Sequence, residues 1–280
     1  NAPATGPVSI NVSNQGGAPL TITGLSLTGA DAAHFSFSGT VPTVLPVGAS
    51  STIDVYFDPQ SGGAKSANLV IATDHWKIPS IQVELEGIGL EVIYVDQDAL
   101  FGGDGFSWST ARQRIGEGIL SALAFGVPQV WVAEGMYLEM LSLPDNVAVY
   151  GGFAGNESTF AMRDLAAHPV IINGSQADDG SPADHVIVMN AVTGSILDGF
   201  TITGGLADGI GADASGGGIY CVDLNPSNTI ANCTIADNAT SGLSSAGGGL
   251  YLSNSDLSIA NCKVVGNSSP FAGGLYIENS

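Results

Sequence analysis

Two acidic, glycine-rich segments carry the side chains best suited to bind a metal ion. Asp96 and Asp98 precede a glycine-rich turn that contains Asp104, and Asp208 and Asp213 enclose a second glycine-rich stretch. Calcium prefers carboxylate and carbonyl oxygens, so both segments are candidate calcium sites, although neither has the EF-hand spacing. The alternative is that the aspartates form Asx turns and only order their loops.

A second candidate site is a row of aromatic residues. Trp131, Tyr220, Tyr251 and Tyr276 each stand between two apolar residues in a short predicted strand. If these strands stack, the apolar neighbours point inward and the four rings form a ladder on one outer face. Such a ladder can bind the sugar rings of a surface polysaccharide, or its members can pack on each other as cross-strand pairs.

Two enzymatic chemistries use residues that this chain contains. A glycoside hydrolase needs two carboxylates about 5–9.5 Å apart, and four aspartates near predicted coil corners could pair, namely Asp198, Asp223, Asp237 and Asp256. A polysaccharide lyase needs positive charge near the sugar carboxylate, but residues 90–280 contain 20 acidic and only four basic residues. Solvated surface carboxylates are the simpler interpretation, so we assign no catalytic residue.

Composition limits the classes of function. Of 280 residues, 39 are glycine and 26 are acidic against six basic ones, which gives a net charge of −20. Such a chain cannot neutralise a run of phosphates, which excludes a nucleic-acid binder, and an anionic membrane would repel it. No apolar run reaches the ~18 residues of a membrane-spanning helix, so no membrane insertion is expected. Abundant glycine with few charges indicates an all-β protein.

Residues 1–89 are predicted to form an Ig-like β-sandwich. In residues 51–57, Ile53, Val55 and Phe57 alternate with polar partners, as in a strand with one buried face. Turn signals separate six such strands, which is typical of a sandwich. The predicted strands are 8–13, 20–28, 34–38, 51–57, 66–73 and 80–86.

This first segment also resembles a known module. Stretches such as LPVGASSTIDVYFDP and IQVELEGIGL closely resemble the ASH-like bacterial Ig modules called choice-of-anchor D domains. The resemblance implies a sandwich common in large secreted bacterial proteins, without known catalysis. The usual opening strand, which ends in a Phe-Gly pair, is not found in this sequence.

Residues 90–280 are a repeat array. Residues 196–202, 229–235 and 258–264 align at spacings of 33 and 29, and each repeat is a pair of short strands with Gly- and Asn-rich corners. A strand-only repeat of this length indicates a solenoid with stacked coils, here a right-handed parallel β-helix. The spacing of 56 positions from Trp131 to Ile187 predicts a long surface excursion over residues 155–182.

The apolar positions predict which side chains face the interior of the coils. Asn232 and Asn261 share a corner where their amides could hydrogen-bond from coil to coil, and Cys233 and Cys262 stack inside as thiols, with a strained disulfide as the alternative. Ile187 is placed outside with the aromatic row. The predicted inward residues are Val130, Val186, Ile219, Leu250 and Leu275, then Val132, Val188, Cys221, Leu252 and Ile277, and on the other strand Leu197, Ile230, Ile259 and Phe200.

A short helix is predicted to close the N-terminal end of the coils. Thr110-Ala-Arg-Gln113 has the spacing of a capping box. After it, Ile115, Ile119, Ala122 and Leu123 form one apolar face. Glycines weaken this helix, so packing against the coils must hold it.

The array resembles a second family. IYVDQDALFGGDGFSWSTA, VWVAEGMYLE, NVAVYGGFAGNES and ILDGFTITGG are similar to the start of bacterial parallel β-helix proteins related to the pectate-lyase and polymorphic outer-membrane-protein groups. This resemblance implies the fold and an extracellular or bacterial cell-surface location. It leaves function open, since such repeats occur in adhesins, passenger domains and polysaccharide lyases.

We therefore expect an Ig-like sandwich followed by a right-handed parallel β-helix with a short N-terminal capping helix. The expected function is non-catalytic, as a stalk, an adhesin or an assembling filament or surface-layer subunit; the alternative is a carbohydrate-active β-helix. Expected partners are a surface polysaccharide or further copies of the chain, joined head to tail, because the coil stack ends without a visible cap and leaves strand edges unpaired. The missing cap also predicts that the coils continue beyond residue 280.

Overall fold

Strands dominate both halves of the chain, as the alternating and repeated apolar residues predict. The computed structural model describes residues 7–40, 43–58, 63–89, 91–177 and 180–280. Its contacts divide the chain into two compact units, Asn1–Glu91 and Val92–Ser280. We call them the sandwich unit and the coil unit.

The sandwich unit consists of two antiparallel sheets. Sheet A has the strand order β1-β5-β3 and sheet B the order β4-β2-β6-β7. The strands are β1 (Val8–Ser13), β2 (Leu20–Thr28), β3 (Phe35–Ser38), β4 (Thr43–Leu45), β5 (Ser50–Phe57), β6 (Gly63–Thr73) and β7 (Ser80–Gly89), and a 3₁₀ turn spans Ala32–His34. Strand β4 was not predicted, because three residues are too few to show an alternating pattern.

Alternation along each strand builds the core of the sandwich unit. Leu69 and Ile71 on β6 and Ile22 on β2 are almost fully buried, and Ile53 and Val55 face them from sheet A. One face of each sheet is thus apolar while the other meets solvent, which is the arrangement of a β-sandwich and is compatible with the predicted Ig-like unit.

The coil unit is a stack of parallel strands. Sheet C has the strand order β8-β9-β12-β15-β19-β23, sheet D the order β10-β13-β16-β20-β24 and sheet E the order β11-β14-β18-β22-β25. The strands are β8 (Val92–Val95), β9 (Gln129–Ala133), β10 (Gly135–Tyr137), β11 (Leu141–Ser142), β12 (Ala148–Phe153), β13 (Val170–Asn173), β14 (Ile187–Asn190), β15 (Ile196–Asp198), β16 (Phe200–Thr203), β17 (Leu206–Ala207), β18 (Ile219–Val222), β19 (Thr229–Ala231), β20 (Thr234–Ala236), β21 (Ala239–Thr240), β22 (Leu250–Ser253), β23 (Ser258–Ala260), β24 (Lys263–Val265) and β25 (Leu275–Glu278). From β9 onward the chain visits sheets C, D and E in turn, so each pass is one coil of a right-handed β-helix.

The corner between sheets C and D repeats one backbone conformation. Gly199, Asn232 and Asn261 occupy equivalent places there with φ values of 90°, 52° and 54°. Asparagine tolerates this left-handed region better than most residues. The Asn261 amide donates to Asn232 Oδ1 at 3.3 Å, and that of Asn232 to Asp198 Oδ1 at 2.9 Å. The predicted coil-to-coil contact of the two asparagines is confirmed.

The predicted register is wrong by one residue at β14. Ile187 pairs with Ile219 and Met189 with Cys221, so both point inward, while Val188 pairs with the outward Tyr220. The prediction placed Ile187 outside and Val188 inside. The run from Val186 to Met189 is apolar at every position, and such a run carries no alternation that fixes the register.

The expected excursion is also shorter than predicted. Strand β13, residues 170–173, lies within the predicted span 155–182 and pairs with β10 and β16 in sheet D. The long spacing between Trp131 and Ile187 arises because the chain completes more than one coil between them, passing through sheets D, E, C and D again. Three-residue or four-residue strands bordered by glycine and asparagine are hard to distinguish from loops by pattern.

Helix α1 (Ile115–Phe125) closes the N-terminal end of the coil stack. It contacts β8 and β9 of sheet C and β11 of sheet E, so it lies across the first coil. A Cβ at Gly118 would meet Val95 Cγ2 at 2.4 Å, so this glycine permits the close approach of the helix to the sheet. Among the described residues, no helix is long and apolar enough to cross a membrane.

The predicted capping box is wrong. Thr110 lies in a 3₁₀ turn and donates to Asp104, while the helix N-cap is Arg114, without a side-chain cap bond. The buried Glu139 instead accepts hydrogen bonds from the Ile115 and Gly116 amides at 2.8 and 2.9 Å. The exposed amides of a helix N-terminus need such an acceptor, and this one comes from a residue distant in sequence.

The predicted apolar face of α1 is correct in part. Ile115, Ile119 and Ala122 are buried, but Leu123 is half exposed. The remaining 3₁₀ turns are Trp108–Thr110, Phe160–Met162, Gly174–Gln176 and Gly211–Ala214.

Candidate functional site

Three tyrosines form a ladder on the outer face of sheet E. Tyr220, Tyr251 and Tyr276 pair in register on β18, β22 and β25. Successive ring centroids are 5.4 and 5.6 Å apart, and the ring planes differ by 5° and 8°. Cys221 lies fully buried beneath them, so the predicted orientation of these strands is confirmed.

A histidine extends this ladder by one position. His185 stacks on Tyr220 at 4.6 Å, and its Nδ1 lies 3.1 Å from the Gly216 carbonyl oxygen. Burial lowers the pKa of His185, although the Gly216 carbonyl and the nearby carboxylate of Asp213 act in the opposite direction. Sequence analysis missed this residue, because a lone histidine ahead of an unbroken apolar run shows no repeat.

The ladder rings cover each other's faces. At these separations and angles each inner ring packs against the rings above and below it, as in cross-strand aromatic pairs. Their edges and hydroxyls face outward, and Tyr251 Oη donates to Glu278 Oε2 at 3.1 Å. A cavity of about 210 Å³ lies between Tyr251, Tyr276 and Phe271. The ring faces of Tyr220 and Tyr251 are therefore covered by their neighbours, whereas Tyr276 ends the ladder.

Trp131 does not belong to this ladder. It lies on β9 in sheet C, in register with Tyr94 and Tyr150, and is 5% exposed. Its ring stacks on Phe153 at 4.6 Å with an angle of 7°. The prediction that all four rings share one sheet face is wrong. Val-Trp-Val on β9 has the same pattern as the tyrosine strands, and the pattern does not say to which sheet of the coil a strand belongs.

Arg163 lies over the rings of Tyr150 and Phe160 and links its own segment to Gly151 and Asp198. Arg163 Nη2 forms a 2.7 Å ion pair with Asp198 Oδ1, and both side chains are largely buried. The same guanidinium donates to the carbonyl oxygens of Gly151 and Asp198. Arg163 thus fixes neighbouring coils, and its charge is already neutralised.

The first acidic segment is organised by its own turns. Asp96 Oδ1 accepts from the Asp98 amide at 2.9 Å, and Asp104 Oδ1 accepts from the Phe106 amide at 3.0 Å and from Thr110 at 2.6 Å. Partial burial raises the pKa of Asp104, but these two hydrogen bonds outweigh it and lower the pKa overall. These contacts are the Asx turns that the alternative interpretation expects.

The carboxylates of the second acidic segment do not converge on a metal position. Asp213 Oδ1 lies 3.8 Å from His185 Nε2 at the end of the tyrosine ladder. In the ranges that the structure describes, no three His, Cys, Asp or Glu side chains come close enough to hold a metal ion. The five aspartates are therefore not brought together, and calcium binding stays a prediction.

Two of the four aspartates considered for glycoside hydrolysis, Asp198 and Asp223, have side-chain partners. Asp198 binds Arg163 and Asn232, and Asp223 Oδ1 accepts from Asn254 Nδ2 at 2.5 Å. Asp223 and Asp237 have positive φ values of 55°, so they occupy tight corners of the coils. Across the described part of the chain, no buried side-chain nitrogen or oxygen lacks a hydrogen-bond partner.

All three cysteines are free thiols, and two of them stack. Cys221 and Cys233 are buried, whereas Cys262 is half-buried. Cys233 Sγ lies 3.1 Å from the Ala231 carbonyl oxygen. A hydrogen bond from Cys233 lowers the pKa of Cys262 to about 7, and burial raises that of Cys221 far above its ordinary value.

Comparison with known proteins supports the coil architecture. Residues 149–280, from within β12 to two residues past β25, match the family model described as the right handed beta helix region. No curated protein and no solved structure matches the chain. Together with the three parallel sheets, this match identifies the segment 149–280 as a right-handed parallel β-helix region.

Proposed function

We propose that the chain is a non-catalytic section of a secreted or cell-surface protein, in which the coil unit serves as a rigid stalk. Right-handed β-helix domains occur both in surface proteins and in carbohydrate-active enzymes. The observation that carries the proposal is that the recurring polar and aromatic side chains of the coil unit make their contacts within the stack. They bind the neighbouring coil through ring stacking and amide hydrogen bonds.

Asparagines inside the stack support this interpretation. Asn228, fully buried, accepts from the Ser195 amide at 3.0 Å and donates to the Val192 carbonyl at 2.8 Å. Asn238 does the same for the Gly205 amide and the Ile202 carbonyl, both at 3.0 Å. Both asparagines therefore cross-link their coil to the preceding one. Satisfied buried networks of this kind rigidify a structure.

The enzymatic alternative requires carboxylates or basic groups that are free to act on a sugar. Asp198 is neutralised by Arg163, and Asp223 is bound to Asn254. The basic side chain of Arg163 is largely buried in the same contact. A lyase or hydrolase would need these groups to exchange their partners for substrate, so no observation favours this second candidate.

The sandwich unit adds the argument for location. Its likeness to choice-of-anchor D modules is part of this proposal, as is the extracellular or bacterial cell-surface setting that the likeness implies. A net charge of −20 suits a protein that must stay soluble outside the cell.

The test is incubation of the chain with neutral and acidic polysaccharides, with and without calcium. We expect no new reducing ends and no ultraviolet absorbance from unsaturated products. Product formation that Asp223→Asn or Asp256→Asn abolishes would contradict the proposal. Lys263→Ala, a change of a basic residue on the last sheet D strand, provides a control for effects of charge alone.

A further inference from the structure

We infer that one end of the sandwich unit binds a neutral carbohydrate, with the indole of Trp76 as its stacking platform. The site lies between the turn over residues 14–20 and the loop over residues 73–81, which joins β6 to β7. All of its lining residues belong to the sandwich unit, and the inference does not rest on the function proposed for the coils.

The two loops enclose a cavity of suitable size. Its volume is about 650 Å³, within the ~300–1,000 Å³ that is usual for small-molecule sites. Trp76, Ile78 and Ile81 contribute its apolar surface, while Gln15 and Asp74 contribute polar groups. An apolar floor with a few polar groups around it is the arrangement that orients a small ligand.

Trp76 is exposed in a way that folding does not explain. Its side chain is 81% exposed, and the neighbouring Ile78 and Ile81 are 54% and 39% exposed. The Lys77 ammonium lies over the indole, 4.7 Å from the ring centroid. It covers one face at most, so the opposite face is open. Exposed apolar side chains that line one cavity beside polar groups are typical of a ligand-binding site.

The loop that carries Trp76 is held in place by hydrogen bonds on both sides. Thr73 Oγ1 donates to the Ile78 carbonyl at 2.6 Å, and the Ile78 amide donates to His75 Nδ1 at 3.2 Å. Asp74 Oδ1 accepts from the Thr21 amide at 2.8 Å, which ties the loop to β2. A loop fixed in this way loses little entropy when a ligand binds.

The facing turn is fixed by a buried asparagine. Asn14 is 4% exposed, and its Nδ2 donates to the carbonyls of Ala18 and Leu45 at 2.8 and 2.9 Å. Its Oδ1 accepts from the Gly16 amide at 2.9 Å. No atom outside its chain neighbours lies within 4 Å of a Cβ built on Gly17, so this part of the backbone stands open at the cavity.

Chemistry favours a neutral sugar over other ligands. The face of a pyranose ring presents C–H groups, which pack well on the electron-rich face of an indole. Its hydroxyls suit the amide of Gln15, the open backbone at Gly17 and the carboxylate of Asp74. Hydrogen bonds from Thr21 lower the pKa of Asp74, so it remains an anionic acceptor at neutral pH. With Asp74 in the cavity and a net charge of −20, a polyanion is disfavoured.

The experiment measures binding of oligosaccharides to the full chain by tryptophan fluorescence and calorimetry. The probes are short β-1,4-glucan, mannan and galactan oligosaccharides, with oligogalacturonate as the anionic comparison. We expect at least one neutral probe to bind and change the tryptophan emission. Trp76→Ala should weaken this binding about tenfold, the loss expected for one aromatic stacking contact, and Trp76→Phe should weaken it less.

Ile88→Ala is the matched control, because Ile88 is 71% exposed on β7 but does not line the cavity. It should leave binding unchanged. Binding that is equal in wild type and Trp76→Ala, or stronger for oligogalacturonate than for every neutral probe, would overturn the inference. So would an absence of binding by all neutral probes. If Trp76→Ala instead converts a dimer into a monomer in sedimentation, the surface is an interface between copies and the inference is wrong.

Discussion

The two units of this chain bury apolar side chains by different rules. In the sandwich unit, alternation along one strand decides which side chains are buried, as with Leu69 and Ile71 on β6. In the coil unit, burial is decided by equivalence between strands about 30 residues apart, as with Ile219 and Leu250. Alternation can be recognised within one segment, whereas equivalence requires several repeats to be aligned correctly. The coil unit is therefore easy to identify and harder to place in register.

The first prediction is that the two units unfold independently, each with its own core. Ile230→Ala in the coil unit and Leu69→Ala in the sandwich unit each remove a side chain with 0% exposure. Each should lower the stability of its own unit by about 2–5 kcal/mol. Scanning calorimetry of the full chain should show each substitution moving one of two transitions. A single transition that both substitutions move equally would mean that the units do not unfold separately.

The second prediction concerns the helix that closes the coils. Glu139→Ala removes the acceptor of two amides at the start of α1 and should destabilise the coil unit by about 1–3 kcal/mol. Glu117→Gln, an exposed change on the same helix, is the control and should have little effect. Urea unfolding followed by circular dichroism measures both. Equal losses for the two variants would contradict the assignment of Glu139 as the cap.

Some of these structural features can be predicted from the sequence pattern, and others cannot. The tyrosine ladder and the asparagine corner were predictable, because Tyr220, Tyr251 and Tyr276 recur in three aligned repeats. Trp131 was misplaced since its strand has the same local pattern but belongs to sheet C. Glu139 was not predictable as a cap, because its role depends on a contact with residues more than 20 positions away. The binding roles considered for the ladder and for the acidic segments stay predictions.

A third prediction tests the corner between sheets C and D. Asn232 has a φ of 52° and donates to Asp198. Asn232→Ala should cost about 1–2 kcal/mol from the left-handed conformation alone, in addition to the lost hydrogen bond. Asn232→Gly keeps the conformation and should cost less. Thermal unfolding of the two variants compares them, and a larger loss for glycine than for alanine would contradict the backbone argument.

The fourth prediction concerns the reactivity of a thiol, and we expect no change in the stability of either unit. Because the pKa of Cys262 is lowered to about 7, its thiolate fraction rises through neutral pH instead of near its ordinary pKa. Alkylation by iodoacetamide should therefore increase up to about pH 8 and then level off, and peptide mass mapping should locate it at Cys262. The buried Cys221 is the internal control and should not react. Cys233→Ala removes the hydrogen-bond donor, so the reactivity of Cys262 should then shift to higher pH.

We propose that recurring side chains hold the coils together. A double-mutant cycle on the tyrosine ladder tests this claim most directly. Tyr220→Ala, Tyr251→Ala and the double variant should show a coupling energy of about 0.5–1.5 kcal/mol in unfolding of the coil unit. Binding to the polysaccharide panel should be the same in all four proteins. No coupling between the two tyrosines, together with loss of polysaccharide binding in either single variant, would contradict this account and make the ladder a ligand site.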